Sequence, residues 1–289
     1  MGRSKQSLPL AVRFSIWLHA ACVLAVVAVP AGWPWILAVV VSDHLVLANF
    51  VLRPRSRFLG ANLVRLPEAG AQRGEVALTF DDGPDPIVTP LVLDMLDRYD
   101  AKASFFCIGR RAAAHPELIA DILRRGHDVE NHSHRHPRAF AFHGPRALLR
   151  EVADAQRALG HAPRFFRAPM GMRSPFLHPI LARATLRYVS WTRRGYDGIS
   201  GDADAVLRRL ANGLAAGDIL LLHDGSCART VSGEPVVLVV LAALLRLLAA
   251  RGLRGVSLSM AVLGEADRLT DGTGATAIAA GAAASPAAA

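Results

Sequence analysis

The chain is poor in cysteine and aromatic residues and, over its first 67 residues, in acidic side chains. Its three cysteines, Cys22, Cys107 and Cys227, are odd in number and far apart, which excludes a disulfide framework. The spacing allows a single Cys107–Cys227 bridge but favours three buried, unbridged thiols. With 52% hydrophobic and 20% charged residues, the 289-residue sequence excludes a disordered chain and is long enough to bury a sizeable core.

The scarcity of acids near the N-terminus explains most of the net charge. Residues 1–67 hold seven Arg and Lys residues and one acid, Asp43, so +6 of the formal charge of +9 lies there. The remaining residues carry a net charge of +3 and give no indication of a basic face of the kind that binds nucleic acid. We therefore expect no nucleic-acid partner. Basic residues on both sides of an apolar run are instead typical of a membrane-associated region.

Residues 14–42 contain no Lys, Arg, Asp or Glu, and only the sequence PAGWP at 30–34 interrupts their apolar character. We predict two apolar segments, at about 14–29 and 33–52, the second about as long as a bilayer core requires, ~20 residues. Together they resemble a membrane hairpin, and the flanking positive charges place both of its ends in the cytoplasm. We expect Asp43 and His44 to lie near the interfacial end of the second segment.

Two alternatives to the hairpin remain open. The basic start and first apolar run also fit a cleaved signal peptide, although the second run would then stay on the mature protein. A single anchor, or a pair of segments lying in the membrane interface, is the other alternative.

From about residue 75 to residue 263, short β-type runs alternate with helical patterns. Seven strands are predicted, at about 75–80, 103–108, 127–131, 165–168, 188–192, 219–222 and 255–258. The six helices between them predict a parallel α/β domain. Polar residues follow the carboxyl ends of five strands, and the top of a barrel collects such residues most readily. We therefore expect a distorted or incomplete (β/α) barrel of about seven parallel strands.

A candidate metal site lies among these polar residues. His132 and His136 stand four residues apart, a spacing that puts both on one face of a helical turn and can chelate one metal. With Asp82, which follows the first strand, they make a three-ligand site with open positions. Solvated surface histidines are the alternative, and the same ligand types also hold iron in non-haem oxygenases.

Two further residues could move protons. Asp81 adjoins Asp82, and one ligating carboxylate would leave the other free as a general base. The composition of this segment, DDGPDP, is also that of a turn. His223 ends the apolar run at 219–222 and is a candidate general acid, with a core histidine as the alternative.

Four segments resemble, in order, the motifs of the polysaccharide deacetylases, the NodB-homology group of metal-dependent carbohydrate esterases. They are TFDDGP at 79–84, HSHRH at 132–136, RAPMG at 167–171 and LLH at 221–223. The resemblance covers about residues 74–263. It implies a distorted (β/α) barrel that removes N-acyl groups, usually acetyl, from amino sugars.

The resemblance also implies roles for particular residues. One divalent metal ion, commonly zinc, would be held by Asp82, His132 and His136. Asp81 would be the base, held by Arg167, and His223 would be the acid. The remaining implied site residues bind the oxyanion, line the acyl pocket or orient the acid; they are Met170 through its backbone N–H with the adjoining Pro169, Leu221, and Asp197.

The fourth motif departs from the family pattern. In the segment WTRRGYDG at 191–198, Arg194 replaces an aspartate and Gly198 a tryptophan, so only Asp197 is kept. Met170 replaces an aromatic residue of the third motif. Fewer stacking surfaces make a long polymeric glycan a less suitable substrate and favour a lipid-linked saccharide.

The sequence as a whole predicts a metal-dependent N-deacetylase of an amino sugar in a glycan or lipid-linked saccharide, attached to the cell inner membrane with its catalytic domain in the cytoplasm; a periplasmic orientation is the alternative. The expected divisions are a membrane-associated region at 1–66, the catalytic domain at 67–266 and a disordered alanine-rich tail at 267–289. Alternatives in function are a deformylase of a lipid-linked amino sugar, a non-haem iron oxygenase and a non-catalytic membrane protein on this fold.

Overall fold

A parallel sheet organises most of residues 7–262, which are the residues that the computed structural model describes. The predicted disordered tail at 267–289 lies outside them. The strands found within residues 7–262 are β1 (Glu75–Asp81), β2 (Ser104–Cys107), β3 (Asp128–Asn131), β4 (Phe165–Phe166), β5 (Arg187–Tyr188), β6 (Arg193–Arg194), β7 (Ile219–His223) and β8 (Arg254–Val256). Their order is β5-β4-β3-β2-β1-β7-β6, and β8 pairs with the first residues of β1. This order is an open path from β5 to β6, so the barrel is incomplete.

Helices connect the strands and cover the outer face of the sheet. They are α3 (Glu68–Gln72), α4 (Val88–Arg98), α5 (Gly109–Ala114), α6 (Pro116–Arg124), α7 (Pro145–Leu159), α8 (Leu177–Arg183), α9 (Ala203–Ala211), α10 (Val236–Ala250) and α11 (Leu258–Val262). Local sequence sets several boundaries. Proline begins α6 and α7, where its missing N–H costs nothing, and the side chain of Asp202 caps α9 by accepting from Ala205 N–H at 2.9 Å.

The sheet separates two apolar layers. Alternate residues of each strand point to opposite faces, so Leu220 and Leu222 of β7 pack outward against α4, α9 and α10. Leu221 points inward, into a cluster that includes Phe106 and Trp191. All seven residues of the central strand β1 are buried, and its polar side chains have partners there: Glu75 accepts from Arg73, Thr79 donates to the Leu220 carbonyl and Asp81 accepts from Arg167.

One predicted strand is divided in two. The sequence predicts a strand at 188–192, whereas β5 ends at Tyr188 and β6 begins at Arg193. Between them, Val189 bridges to Leu63, and Ser190 N–H donates to the Leu63 carbonyl at 3.0 Å. At this point the chain leaves its pairing with β4 and crosses to pair with β7. The β-type pattern of the sequence is continuous over these residues and therefore did not reveal the crossing.

An apolar helical hairpin precedes the barrel. Its helices are α1 (Leu10–Ala28) and α2 (Trp33–Val51), joined by a short 3₁₀ turn at Pro30–Gly32. Both helices are long and apolar enough to cross a membrane, by length and composition. The open end of the hairpin packs on the barrel, where Val12 and Val51 contact Leu59 and Ala141.

The position of Asp43 corrects the sequence-based expectation. Asp43 lies near the middle of α2, not near its end, and is buried against α1. The hydroxyl of Ser15 donates to its carboxylate at 2.6 Å, and His19 Nδ1 lies 3.8 Å from the same oxygen. A polar partner on the facing helix therefore satisfies this acid within the hairpin, so it needs no position at the water interface.

The three cysteines are unbridged, which excludes the Cys107–Cys227 bridge. Only Cys107 is fully buried, whereas Cys22 and Cys227 are partly exposed, so the expectation of three buried thiols is wrong for two of them.

Candidate active site

Strand register places an acid and a histidine side by side at the carboxyl edge of the sheet. β1 and β7 pair in parallel with Asp81 opposite His223, although 142 positions separate them in the sequence. β2 lies on the other side of β1, with Phe106 opposite Asp81. The strand ends thus form the floor of the site, and the loops that follow them supply the rest.

Asp81 is held by a buried arginine. Arg167 Nη1 donates to Asp81 Oδ1 at 2.6 Å and to Thr79 Oγ1 at 2.9 Å, while Nη2 donates to the Ser190 carbonyl at 3.1 Å. The guanidinium also lies 4.1 Å from the ring centroid of Phe106. Because these contacts fix the guanidinium of Arg167, it orients Oδ1 of Asp81. The other oxygen, Oδ2, faces His132 and lies 3.8 Å from its Nε2.

Asp82, His132 and His136 converge on one point. Asp82 Oδ1 lies 3.3 Å from His132 Nε2 and 3.2 Å from His136 Nε2. His132 Nδ1 donates to the Arg167 carbonyl at 2.9 Å, which directs Nε2 toward Asp82; burial would lower the pKa of His132, but the charge of Asp81 and the contact with Asp82 raise it. Burial and the neighbouring charge of His132 lower the pKa of His136 to about 4, which leaves that ring neutral at pH 7.

The helical turn expected for the two histidines is wrong. Residues 132–136 form an irregular loop in which Ser133 and His136 have positive φ, at 62° and 54°. These left-handed residues turn the loop so that both rings face Asp82, which itself has a φ of 72°. The ring centroids of the two histidines are 5.0 Å apart.

These three residues fit a divalent cation. Asp82 Oδ1 is buried and has no donor in hydrogen-bond geometry among the described residues, an arrangement that costs free energy unless a cation or proton is supplied. Burial alone would raise the pKa of Asp82, but contact with His132 and His136 lowers it well below its usual range. Two imidazoles, which are neutral when Nε2 binds a cation, and one ionised carboxylate are the donor types that zinc takes in hydrolases.

His223 is paired with Asp197. The two oxygens of Asp197 accept from His223 N–H at 2.7 Å and from Nδ1 at 2.9 Å. Burial would lower the pKa of His223, but the charge of Asp197 and this hydrogen bond outweigh it and raise the pKa to about 9. The imidazole is therefore protonated at neutral pH, with Nε2 available as a proton donor.

The third motif forms a tight turn beside the site. Pro169 begins a 3₁₀ turn, Pro169–Gly171, in which Met170 has a φ of 58° and a half-exposed side chain. The N–H of Met170 has no acceptor within residues 7–262. A free amide in a strained turn is suited to an oxyanion. Leu221 lies on the inner face of β7, in the same cluster as Trp191.

The structure also identifies supporting residues that the sequence did not single out. Glu151 of α7 accepts the N–H groups of His134 and Arg135, at 3.0 and 2.9 Å, and Asn131 accepts that of Ser133 at 2.9 Å. These contacts hold the histidine loop. No local pattern marks Glu151 in the sequence, because it reaches the loop from a helix that begins nine residues later.

A second supporting group surrounds Gly83. The buried Asp224 accepts from Thr89 Oγ1 at 2.6 Å, and a Cβ at Gly83 would lie 2.2 Å from its carboxylate. Glycine is therefore required there by close approach. Burial raises the pKa of Asp224 to about 7.

Comparisons with known proteins identify relatives of the chain. A family model described as polysaccharide deacetylase matches residues 69–189. A chitooligosaccharide deacetylase of Sinorhizobium fredii is 38% identical over 165 residues, which are 55% of this chain and 76% of that protein. A peptidoglycan-N-acetylglucosamine deacetylase of Bacillus cereus is 33% identical over 54% of this chain and 75% of its own length.

Solved structures agree as well. A peptidoglycan N-acetylglucosamine deacetylase in complex with 4-naphthalen-1-yl-N-oxidanyl-benzamide superposes with a TM-score of 0.62 at 28% identity, covering 70% of this chain and 92% of that one. A family 4 carbohydrate esterase from Streptomyces lividans in complex with acetate gives 0.57 at 29% identity, covering 63% and 91%. The predicted α/β incomplete barrel and hydrolase class are thereby confirmed. The chain belongs to the polysaccharide deacetylase family.

Proposed function

We propose that the protein is a membrane-attached, metal-dependent hydrolase that removes the acetyl group from an N-acetylated amino sugar. The observation that carries this proposal is the convergence of Asp82, His132 and His136 next to the Arg167–Asp81 pair, with His223 across the register from Asp81. The names of the relatives, which are deacetylases of chitooligosaccharides and of peptidoglycan N-acetylglucosamine, support the amino sugar and the acetyl group.

The cation supplies one part of this chemistry. Asp82, His132 and His136 would hold a divalent metal such as zinc, which would supply Lewis-acid polarisation of the amide carbonyl and lower the pKa of water toward neutral pH.

The residues of the chain supply the proton transfers. Asp81, ionised beside Arg167, accepts a proton as water attacks the carbonyl carbon. The Met170 N–H donates to the oxygen that gains negative charge. His223, protonated through Asp197, gives its proton to the nitrogen as the carbon–nitrogen bond breaks, so the products are acetate and a free amino sugar.

The hairpin supports attachment to the cell inner membrane. We propose that residues 1–66 anchor the catalytic domain at 67–266 to the cytoplasmic face, because the basic residues flank both apolar helices. Fluorescent-protein and alkaline-phosphatase fusions after Ala289 test the orientation. Fluorescence without phosphatase activity is expected, and the reverse pattern would place the domain outside the cytoplasm.

Acetate release by the purified full-length protein tests the reaction. The protein is assayed on chitotetraose after chelation, after zinc is restored, and with oxygen removed. We expect activity that is lost on chelation, restored by zinc and independent of oxygen. Zinc-loaded protein that releases acetate neither from chitotetraose nor from N-acetylglucosamine linked to a lipid diphosphate, or that releases formate faster from the matched N-formyl sugar, contradicts an N-deacetylase.

A further inference from the structure

A basic groove lies where the hairpin meets the barrel. It has a volume of about 670 Å³ and lies between the end of α2 and the chain around β6. Four arginines line it together with aromatic rings; the arginines are Arg53, Arg55, Arg57 and Arg194.

The arginines of this groove have no acidic counterpart. None of the four forms an ion pair with a carboxylate within residues 7–262. Arg55 donates only to the Thr192 carbonyl, and Arg194 lies 5.5 and 4.8 Å from the ring centroids of Trp191 and Tyr196. Arg194 Nε is buried without a hydrogen-bond partner in the described chain. Guanidinium groups that line one groove without a carboxylate partner fit a phosphate or diphosphate, because its oxygens can accept two parallel N–H bonds from one guanidinium.

The groove adjoins the candidate active site. Trp191 lines the basic groove and also lies beside Arg167 of the active site, since its ring centroid is 5.9 Å from the Arg167 guanidinium. Gly171 of the Met170 turn approaches Trp191 and Pro54 so closely that a Cβ there would lie 2.5 Å from the tryptophan ring. Tyr196 immediately precedes Asp197, the partner of His223. A single layer of side chains, which includes Trp191 and Tyr196, thus separates an anion in the groove from the catalytic residues.

An apolar groove continues from the basic one into the hairpin. It has a volume of about 750 Å³, runs between α1 and α2, and is lined mainly by aliphatic and aromatic side chains. Phe50 and Phe58 line both grooves, and their rings stack with centroids 4.4 Å apart. The apolar groove extends to Trp35, near the far end of the hairpin. The apolar groove therefore adjoins the basic groove at Phe50 and Phe58, and the basic groove adjoins the hydrolytic site at Trp191.

We propose that the substrate is an amphiphile whose lipid chain lies along the hairpin groove, whose phosphate or diphosphate binds the four arginines, and whose N-acetylated sugar reaches Asp82, His132 and His136. This inference deepens the proposed deacetylase function and rests on it. A neutral glycan polymer would leave the guanidinium groups without an anionic partner. Arginines that only contact anionic lipid headgroups would give the enzyme no preference among substrates.

Substrate selectivity tests the proposal. The full-length protein in detergent is assayed on N-acetylglucosamine joined through diphosphate to a long-chain prenol, on the same sugar diphosphate with a methyl group in place of the prenol, and on chitotetraose. We expect kcat/KM to fall at least tenfold at each step of this series. A charge-assisted hydrogen bond contributes about 1.5–3 kcal/mol, which corresponds to roughly 10- to 100-fold.

Arginine variants connect that selectivity to the groove. Arg194→Gln and the double variant Arg53→Gln/Arg57→Gln should lower the ratio of kcat/KM on the prenol substrate to that on chitotetraose at least tenfold, mainly through KM. The matched double variant Arg98→Gln/Arg246→Gln removes two exposed charges from α4 and α10 and should leave the ratio within twofold. An unchanged ratio in the groove variants, or a wild-type enzyme without preference for the prenol substrate, overturns the proposal.

Binding separates this proposal from the deacetylase assignment. Prenyl diphosphate without a sugar should bind the wild-type protein and bind at least tenfold more weakly to the groove variants. If it binds in this way but no sugar substrate is hydrolysed, the deacetylase function fails and the lipid-phosphate site stands. If chitotetraose is hydrolysed but prenyl diphosphate does not bind, the lipid-phosphate site fails alone.

Discussion

Two clusters in this molecule each bring two histidines and one aspartate within 4.8 Å, yet their surroundings differ. The hairpin cluster consists of His19, Asp43 and His44, and the barrel cluster of Asp82, His132 and His136. In the hairpin cluster Ser15 satisfies Asp43, and both histidines donate through Nδ1 to carbonyls of their own helices, at 2.7 and 2.8 Å. In the barrel cluster Asp82 Oδ1 has no donor within residues 7–262.

The difference shows that ligand identity alone does not define a metal site. Asp43 already has a hydroxyl partner, and no acid held by an arginine stands beside it among the described residues. The barrel cluster has Asp81 with Arg167 on one side and His223 with Asp197 nearby. An unsatisfied carboxylate with acid and base groups around it indicates chemistry, whereas a satisfied one indicates helix packing.

The largest expected effect distinguishes the two clusters directly. His132→Ala, His136→Ala and Asp82→Ala should each lose both the bound metal and measurable acetate release, because a three-ligand site cannot spare one ligand. Metal content by elemental analysis and turnover are measured on each purified variant. The matched hairpin variants His19→Ala and His44→Ala should keep one metal per chain. Metal retained in all three barrel variants, or lost from the hairpin variants, would show that the metal does not bind where we place it, in the barrel cluster.

Asp81→Asn should separate metal binding from proton transfer within the barrel cluster. Asparagine has nearly the same shape but cannot accept a proton, and the loss of a general base typically costs on the order of 10²–10⁴-fold. We expect normal metal content with kcat reduced by that factor. A variant with normal metal and nearly normal kcat would assign the base to another residue.

Asp197→Asn should change the pH profile. The charge of Asp197 helps to raise the pKa of His223 to about 9, so the neutral amide lowers that pKa. Since the acid must be protonated to act, the alkaline limb of kcat/KM against pH should move to lower pH, and activity at pH 8 should fall about tenfold or more. Asp204→Asn, in the first turn of α9, is the control and should leave the limb in place. An unmoved limb would mean that another group donates the proton.

Much of the site could be predicted because short motifs follow strand ends. Asp81, Asp82, Arg167 and His223 each end or directly follow a predicted strand, and parallel topology brings such positions to one edge. The prediction of a helical turn at 132–136 was wrong because the i, i+4 spacing of two histidines carries no information about the positive φ of Ser133 and His136. Their conformation is imposed from outside, by contacts such as those of Glu151.

The junction of hairpin and barrel could not be predicted. The basic groove combines residues 53–58 with residues 191–196, which are about 140 positions apart, and it depends on the chain crossing between β5 and β6. In the sequence, each of these arginines is recognisable only as a positive charge next to an apolar segment. The position of Asp43 escaped prediction for the same reason, because its partner Ser15 lies on the other helix.

The smallest expected effect concerns stability rather than activity, and it tests whether the hairpin cluster serves packing. Ser15→Ala leaves Asp43 buried without its donor, and an unpaired buried group costs about 1–3 kcal/mol, more if charged. For a domain of this size each kcal/mol shifts the melting temperature by about 2–4 °C. We therefore expect the Tm in detergent to fall by several degrees in Ser15→Ala, and to recover in Ser15→Ala/Asp43→Leu, where both polar partners are removed together. Metal content should equal the wild type in both variants. A Tm that falls further in the double variant, or a metal content that changes in either, would show that Asp43 does more than join the two helices.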